Sequence, residues 1–149
     1  MTTNPEIKEA LERRMEELHH EVESIAERYW AAVLRMEGER PGVQNRNRLR
    51  LRSIKDGNSV RSEWYAVAWV GKGKDGKFFD KKEAITKPAR SFGYTISKLH
   101  KYAHEWEKEI VEETENRLVG IRQEAYHLTR ALLSVGFAMQ AESKRRAVA

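Results

Sequence analysis

Two long amphipathic helices are predicted, one towards each end of the chain. In residues 5–37 and again in residues 105–141, apolar side chains recur at alternating steps of three and four, which is the spacing of one helix face. The N-terminal stripe consists of Leu11, Met15, Leu18, Val22, Ile25, Tyr29, Ala32 and Met36. The C-terminal stripe consists of Ile110, Thr114, Leu118, Ile121, Ala125, Leu128, Leu132, Val135 and Met139. Because each narrow stripe needs a partner, we expect the two helices to pair antiparallel as a stalk, with the chain termini together.

Residues 45–88, between the helices, are predicted to form a small antiparallel sheet. Alternating side chains favour strands at about 46–55 and 59–70, and Asp56-Gly57 supplies the tight turn between them. The second strand is apolar on both faces, which favours a central position. The remaining predicted elements are a third strand at about 77–81, a short helix over 95–102 and a frayed tail over 142–149. The expectation is a single α+β domain in which two long antiparallel helices flank an inserted sheet that sits as a head at the far end of the stalk.

Charge is segregated along the chain. The net charge is +5, but residues 40–101 hold 16 Lys and Arg against 5 Asp and Glu, a net +11. The flanking segments hold 12 and 18, a net −6. A basic centre between acidic helices attracts a polyanion in a way that an even mixture would not.

The most basic strand has a simple alternation. Arg48, Arg50 and Arg52 alternate with Leu49 and Leu51, so the three guanidinium groups should share one face at ~6.6 Å intervals. We interpret this as a basic β-hairpin that faces a phosphate backbone. The candidate nucleic-acid-binding residues are Arg46, Arg48, Arg50, Arg52, Lys55, Arg61, Lys72, Lys74 and Lys77, with Tyr65 and Trp69 as candidates for base stacking.

Catalysis, metals and cofactors are not expected. The chain has no cysteine, so it has no disulfide, no thiolate nucleophile and no cysteine-based zinc site. His100 and His104 have a ligand-like spacing, but no third ligand is evident. The turn 71–77 approaches a phosphate-binding loop pattern, yet Phe78 replaces the hydroxyl residue and a strand follows, so a lysine-rich turn is the better interpretation.

Several aromatic and charged segments resemble the MobI family, over about residues 30–133. They are Asn47-Arg-Leu-Arg50, Ser62-Glu-Trp-Tyr65, Trp69-Val-Gly-Lys-Gly73, Tyr94, Glu105-Trp-Glu107, Glu113-Thr-Glu115 and Ile121-Arg122. The resemblance implies a cytoplasmic bacterial factor that helps to start conjugative DNA transfer, acting at the transfer origin beside a separate relaxase. It supplies no catalytic residues to carry over.

The expected function is therefore that of a non-enzymatic accessory factor that binds the transfer-origin duplex, recruits or assists a relaxase and forms a homodimer through its long helices. Two alternatives stay open: a protein adaptor that binds through its acidic helices, and an RNA or single-strand binder that uses Tyr65 and Trp69. No apolar run approaches ~20 residues and the N-terminus has no secretion-signal pattern, so we expect a cytoplasmic protein with no membrane contact.

Overall fold

The computed structural model describes residues 1–72 and 78–149; the side chains of residues 69–72 and 78–80 also lie outside the description. The helices are α1 (Asn4–Gly38), α2 (Ile96–Tyr102) and α3 (Lys108–Val148), and the strands are β1 (Leu49–Asp56), β2 (Ser59–Lys72) and β3 (Phe78–Ala84). Short 3-10 turns cover Val43–Asn45 and Glu105–Glu107. The predicted α+β fold, with two long helices and a three-stranded antiparallel sheet, is confirmed.

The two long helices pair antiparallel, as predicted. Near their outer ends the Asn4 side-chain amide donates to the Glu142 carboxylate at 2.9 Å, and further in Arg14 Nε donates to Glu124 at 2.6 Å. The chain termini therefore lie together at one end of the pair.

The seam of α1 differs from the predicted heptad. Its buried residues are Met15, Leu18, Val22, Ala26, Tyr29 and Val33. They repeat every eleven residues, at ~3.67 residues per turn, which a nearly straight helix accommodates. Ala26 and Val33 therefore take the places predicted for Ile25 and Ala32, which, like Met36, are only partly buried.

Both helix ends require corrections. The predicted helix 5–37 starts one residue earlier, at Asn4, and Thr3 caps it: the Thr3 hydroxyl accepts from the Glu6 N–H while the Glu6 carboxylate accepts from the Thr3 N–H. At the other end α3 continues through Val148, so the tail that was expected to fray is helical.

The sheet has the order β1-β2-β3, so β2 is central as predicted. Its position is different, because the β1–β2 hairpin lies along the flank of the helix pair and points back towards the termini. At the hairpin turn Thr129 Oγ1 of α3 donates to the Asn58 carbonyl at 2.8 Å, and Lys55 pairs with Glu16 of α1 at 2.8 Å. The expected head at the far end of the stalk is therefore wrong.

Burial of the inner sheet face explains this placement. Leu49, Leu51 and Trp64 are 0%, 4% and 1% exposed, and β1 and β2 contact α1 and α3. The Tyr29 ring of α1 meets the Trp64 ring edge to face at a centroid distance of 5.0 Å. The hairpin is thereby held on the helices by its apolar face, which leaves its other face outwards.

Candidate nucleic-acid interface

The outer face of the sheet carries the alternating arginines. Since Leu49 and Leu51 point into the core, Arg48, Arg50 and Arg52 lie on the opposite side, as the alternation predicted. The strand register adds residues from the neighbouring strands, since directly opposed residues share a face. Arg50 opposes Tyr65, and Arg48 opposes Val67, which in turn opposes Lys82. We call the set Arg48, Arg50, Arg52, Tyr65 and Lys82 the basic face.

Tyr65 lies in the middle of the basic face. Its ring centroid is 5.8 Å from the Arg52 guanidinium carbon and 6.0 Å from Lys82 Nζ. Both distances are within the range of cation–π attraction. Tyr65 therefore helps to hold two cations from different strands on one partly exposed surface.

The cations of this surface are only weakly neutralised. Glu63 is shared between Arg52 and Arg61, each at 3.1 Å, and both arginine side chains are at least half exposed. Exposed ion pairs contribute ~0–1 kcal/mol, so a phosphate can compete for either guanidinium. Arg48 is exposed and forms no ion pair with any carboxylate in the described part of the chain.

Arg50 has a more structural setting than its neighbours. It is only partly exposed, and its guanidinium carbon lies 6.0 Å from the centroid of the Trp30 ring on α1. It therefore links the edge strand to the helix as well as adding charge to the basic face.

The other predicted contacts are more scattered. Lys55 lies on the same face of β1 as Leu49 and Leu51 and pairs with Glu16. Their hydrogen bond lowers the pKa of Glu16. The carbonyl of Arg46 faces His104 Nε2 at 2.9 Å, and its side chain is exposed. Lys74 and Lys77 fall outside the described residues, as do the side chains of Lys72 and Trp69.

Lys82 is a candidate that sequence reasoning missed. With Arg48, Lys81 and Lys101 it lines a groove of about 670 Å³ beside β2. In the sequence Lys81 and Lys82 follow Asp80 without alternation, so only the register across β2 and β3 assigns them to opposite faces.

The buried carboxylate of Glu107 fixes the start of β1. Its Oε1 accepts from the Arg48 N–H at 2.9 Å, from the Leu49 N–H at 3.2 Å and from the Asn47 side-chain amide, while Oε2 accepts from the His104 N–H at 2.7 Å. A carboxylate that receives this many donors is well compensated for its burial. Glu107 therefore positions the backbone that carries Arg48.

Tyr29 completes this polar site. Its hydroxyl donates to the Leu49 carbonyl and accepts from the Asn47 amide at 3.3 Å. Burial raises the pKa of this hydroxyl, so it stays protonated and remains a donor. The first residues of β1 are thus held on both sides by buried polar groups.

A buried ion pair fixes β2 in the same way. Arg122 of α3 bonds the Glu115 carboxylate at 2.8 Å through both terminal nitrogens, and its Nε donates to the Ser62 carbonyl at 3.1 Å. Glu115 also accepts from the Trp64 indole N–H at 2.9 Å. Both residues lie in segments that resemble the MobI family, but their burial and pairing were not predicted, since both lie in a helix rich in surface charge.

Metal-ligating side chains do not gather in the described residues. No group of three His, Cys, Asp or Glu side chains with a suitable arrangement occurs in the described residues. His100 approaches Glu112 at 3.7 Å, whereas His104 faces the Arg46 carbonyl. The described helices also include none that is both long and apolar enough to cross a bilayer.

Comparison with known proteins gives a family match. The family model described as "MobI protein" matches residues 18–136, which cover both long helices for most of their length and the whole sheet. No curated protein and no solved structure matches.

Proposed function

Because the chain belongs to the MobI family, which indicates an accessory role in mobilisation, we propose that it is a non-enzymatic factor that binds DNA at the origin of transfer of a conjugative element. In this role it acts in the cytoplasm and recruits or assists a separate relaxase. The duplex is the DNA form that it binds, and phosphate contacts supply most of the affinity.

The observation that carries this proposal is the composition of the basic face. Around Tyr65, the two edge strands carry the cations Arg48, Arg52 and Lys82. Glu63 pairs with Arg52. A twisted sheet face of this kind can follow a phosphate backbone, and a two-stranded ribbon fits a major groove.

A mobility-shift titration of the purified protein on the element's transfer-origin fragment tests the proposal. We expect a complex near physiological salt that survives an excess of unrelated duplex, and a further shift when the element's relaxase is added. Equal competition by unrelated DNA would contradict selective binding to the transfer origin, and the absence of any complex would contradict DNA binding itself.

The non-enzymatic part is tested on supercoiled plasmid that carries the same origin. The purified protein is incubated with Mg²⁺ and, separately, with Mn²⁺, and the products are resolved on agarose. We expect no nicked circles above the level of a protein-free control. Nicking that co-purifies with the protein would replace this part of the proposal with an enzymatic role.

The homodimer included in the proposal is supported by one end of α3. Residues 131–141 contain no charged side chain, and Leu133 and Phe137 are 61% and 66% exposed. Leu133 follows the sheet-facing Glu115 by 18 residues, about five turns at ~3.6 residues per turn, so it continues the side of α3 that the hairpin covers up to Thr129. Beyond the hairpin turn no described residue buries Leu133 or Phe137, and we propose that a second copy covers this side as a four-helix bundle.

Sedimentation velocity of Leu133→Glu tests this interface. The variant should sediment as a monomer at concentrations where the unmodified protein is a dimer, because a buried carboxylate is strongly unfavourable. Leu34→Glu is the matched control, since Leu34 is 64% exposed on α1 away from this end, and its dimer should persist. A monomeric unmodified protein would contradict the proposal.

Single-strand binding is a second candidate, and the setting of Tyr65 favours it. A partly exposed ring between two cations is a suitable platform for a base with its phosphate. Quenching of intrinsic fluorescence by oligo-dT at concentrations where duplex has no effect would favour this candidate over duplex binding.

A further inference from the structure

One edge of β2 is open along half of its length. β1 pairs with β2 from Ser59 to Ala66, whereas β3 pairs with it only from Tyr65 onwards. On the side away from β1, residues 59–64 therefore face no strand in the described part of the chain. Six residues of strand correspond to ~20 Å of unpaired edge.

The register shows which backbone groups point to that side. The Val67 N–H donates to the Arg48 carbonyl at 2.7 Å, so this opposed pair is a hydrogen-bonded one. Such pairs recur every second residue, so the backbones of Arg61 and Glu63 face β1 and those of Val60, Ser62 and Trp64 face away.

Two contacts agree with this assignment. The Trp64 N–H donates to the Tyr94 hydroxyl at 3.3 Å, and the Ser62 carbonyl accepts from Arg122. Of the other groups on this edge, the N–H and carbonyl of Val60 and the N–H of Ser62 have no partner among the described residues. They form the donor and acceptor set that an added strand uses.

A cavity of about 660 Å³ runs along this open edge, between β2, the loop after β3 and α3. This volume lies within the ~300–1,000 Å³ range of ligand clefts. Its apolar wall includes Ile85, Phe92 and Tyr126, and the two aromatic rings lie 5.5 Å apart. Such a wall can take the apolar side chains of an extended segment.

The rim of the cavity is cationic. Arg61, Lys87 and Arg90 line it, whereas Glu63 is the carboxylate among its lining residues and is already shared by two arginines. Arg122 also lines it but is neutralised by Glu115. Arg90, in the loop that lines the cavity, has a φ of 64°, an uncommon conformation for a residue other than glycine.

From these features we propose that the cavity is a docking groove for a partner protein, which adds an extended segment to the open edge of β2. The segment alternates apolar with acidic side chains. Its backbone pairs with Val60 and Ser62, its apolar side chains face Phe92 and Tyr126, and its carboxylates meet the cationic rim. The proposal goes beyond DNA binding and does not depend on it, since no residue of the basic face lines the cavity, although Arg61 lies beside both.

The experiment has two stages and uses the full chain. A phage-displayed library of random peptides of about nine residues is selected on immobilised protein, and we expect enrichment of alternating apolar and acidic sequences. The synthetic consensus peptide is then added to ¹⁵N-labelled protein, and amide hydrogen exchange is followed. Val60 and Ser62 should exchange about tenfold more slowly with the peptide bound, while Arg61 and Glu63 should not change, because their N–H groups already face β1.

Two variants separate the groove from the basic face. Arg90→Asn removes a rim charge, and asparagine tolerates a positive φ. This variant should bind the peptide about fivefold more weakly, with unchanged affinity for DNA. Arg48→Ala should leave peptide affinity unchanged, so a failure of DNA binding would not imply a failure of the groove. The proposal is overturned if no such sequences are enriched, or if the amides of Arg61 and Glu63 are the ones that respond. It is also overturned if oligo-dT slows amide exchange at Val60 and Ser62 and the peptide does not, which would assign the groove to single-stranded nucleic acid.

Discussion

Arg122 and Glu115, seven residues apart on α3, form an ion pair that is almost completely buried against the central strand. Their side chains are 8% and 1% exposed, and two nitrogen–oxygen distances of 2.8 Å join them. Glu115 also accepts from the Trp64 indole N–H and the Tyr94 backbone N–H, and Arg122 also donates to the carbonyls of residues 62 and 92. The pair therefore connects α3, β2 and the loop after β3.

Removal of one partner of this pair should be strongly destabilising. Arg122→Met keeps much of the side-chain volume but leaves the Glu115 carboxylate buried without its cation, at a cost of ~3–5 kcal/mol in the free energy of unfolding. Urea denaturation followed by circular dichroism measures the change. Arg117→Met is the control, because its pair with Glu113 lies on the same helix at the surface, and it should change stability by less than ~1 kcal/mol. Equal effects of the two variants would mean that the buried pair does not carry the stability assigned to it.

Glu107 should be needed for both stability and the shape of the basic face. Glu107→Gln keeps the size of the side chain but turns an amide NH₂ towards backbone donors, so at least one buried donor loses its acceptor, at ~1–3 kcal/mol. Amide exchange at Arg48 and Leu49 should accelerate more than exchange in the middle of β2. Glu109→Gln, two residues further on and exposed, is the matched control and should leave both amides unchanged. Unaltered protection in Glu107→Gln would contradict the capping role.

The link between the long helices should weaken in acid. The side-chain hydrogen bond from Arg14 lowers the pKa of Glu124 below its ordinary value of 4.5. Such a carboxylate contributes stability that is fully present above the unfolded-state pKa and is lost as pH falls through the lower folded-state value. Glu124→Gln should therefore be less stable than the unmodified protein at pH 7, and the difference should shrink towards zero as the pH falls below 4.5. Thermal unfolding at matched ionic strength measures this, and a difference that grows in acid would have the wrong sign.

Local patterns predicted the elements of this fold well but not their arrangement. The alternation of Leu49 and Leu51 with arginines sets the two faces of β1 regardless of what covers them, and the helical stripes set the two long helices. The same patterns are compatible with a sheet at the end of the stalk or along its flank. The choice is made by tertiary contacts such as Tyr29 with Trp64, which span 35 residues of sequence.

In the candidate interface, too, local patterns predicted some residues and tertiary contacts decided the others. Arg48 and Arg52 could be assigned from the sequence because their strand has a strict alternation. Lys82 could not be assigned, since its place on the basic face depends on its pairing with Val67. A bulge between Val70 and Lys72 shifts the register of these strands, so the pairing does not follow from the sequence. Glu107 was not distinguishable from its exposed acidic neighbours, because its burial follows from where β1 begins to pair.

The salt dependence of DNA binding should separate the basic face from general positive charge. Arg48→Ala removes an exposed guanidinium that has no ion pair among the described residues, so it should weaken binding and reduce the slope of log K against log [salt] by about 1. Arg117→Ala removes the same charge from the helix pair and should leave the slope unchanged. Fluorescence anisotropy on a labelled transfer-origin duplex, repeated between about 50 and 200 mM salt, measures both slopes. Equal losses of DNA affinity in the two variants would show that net charge alone governs binding. An unchanged slope in Arg48→Ala would show that this arginine does not contact phosphate.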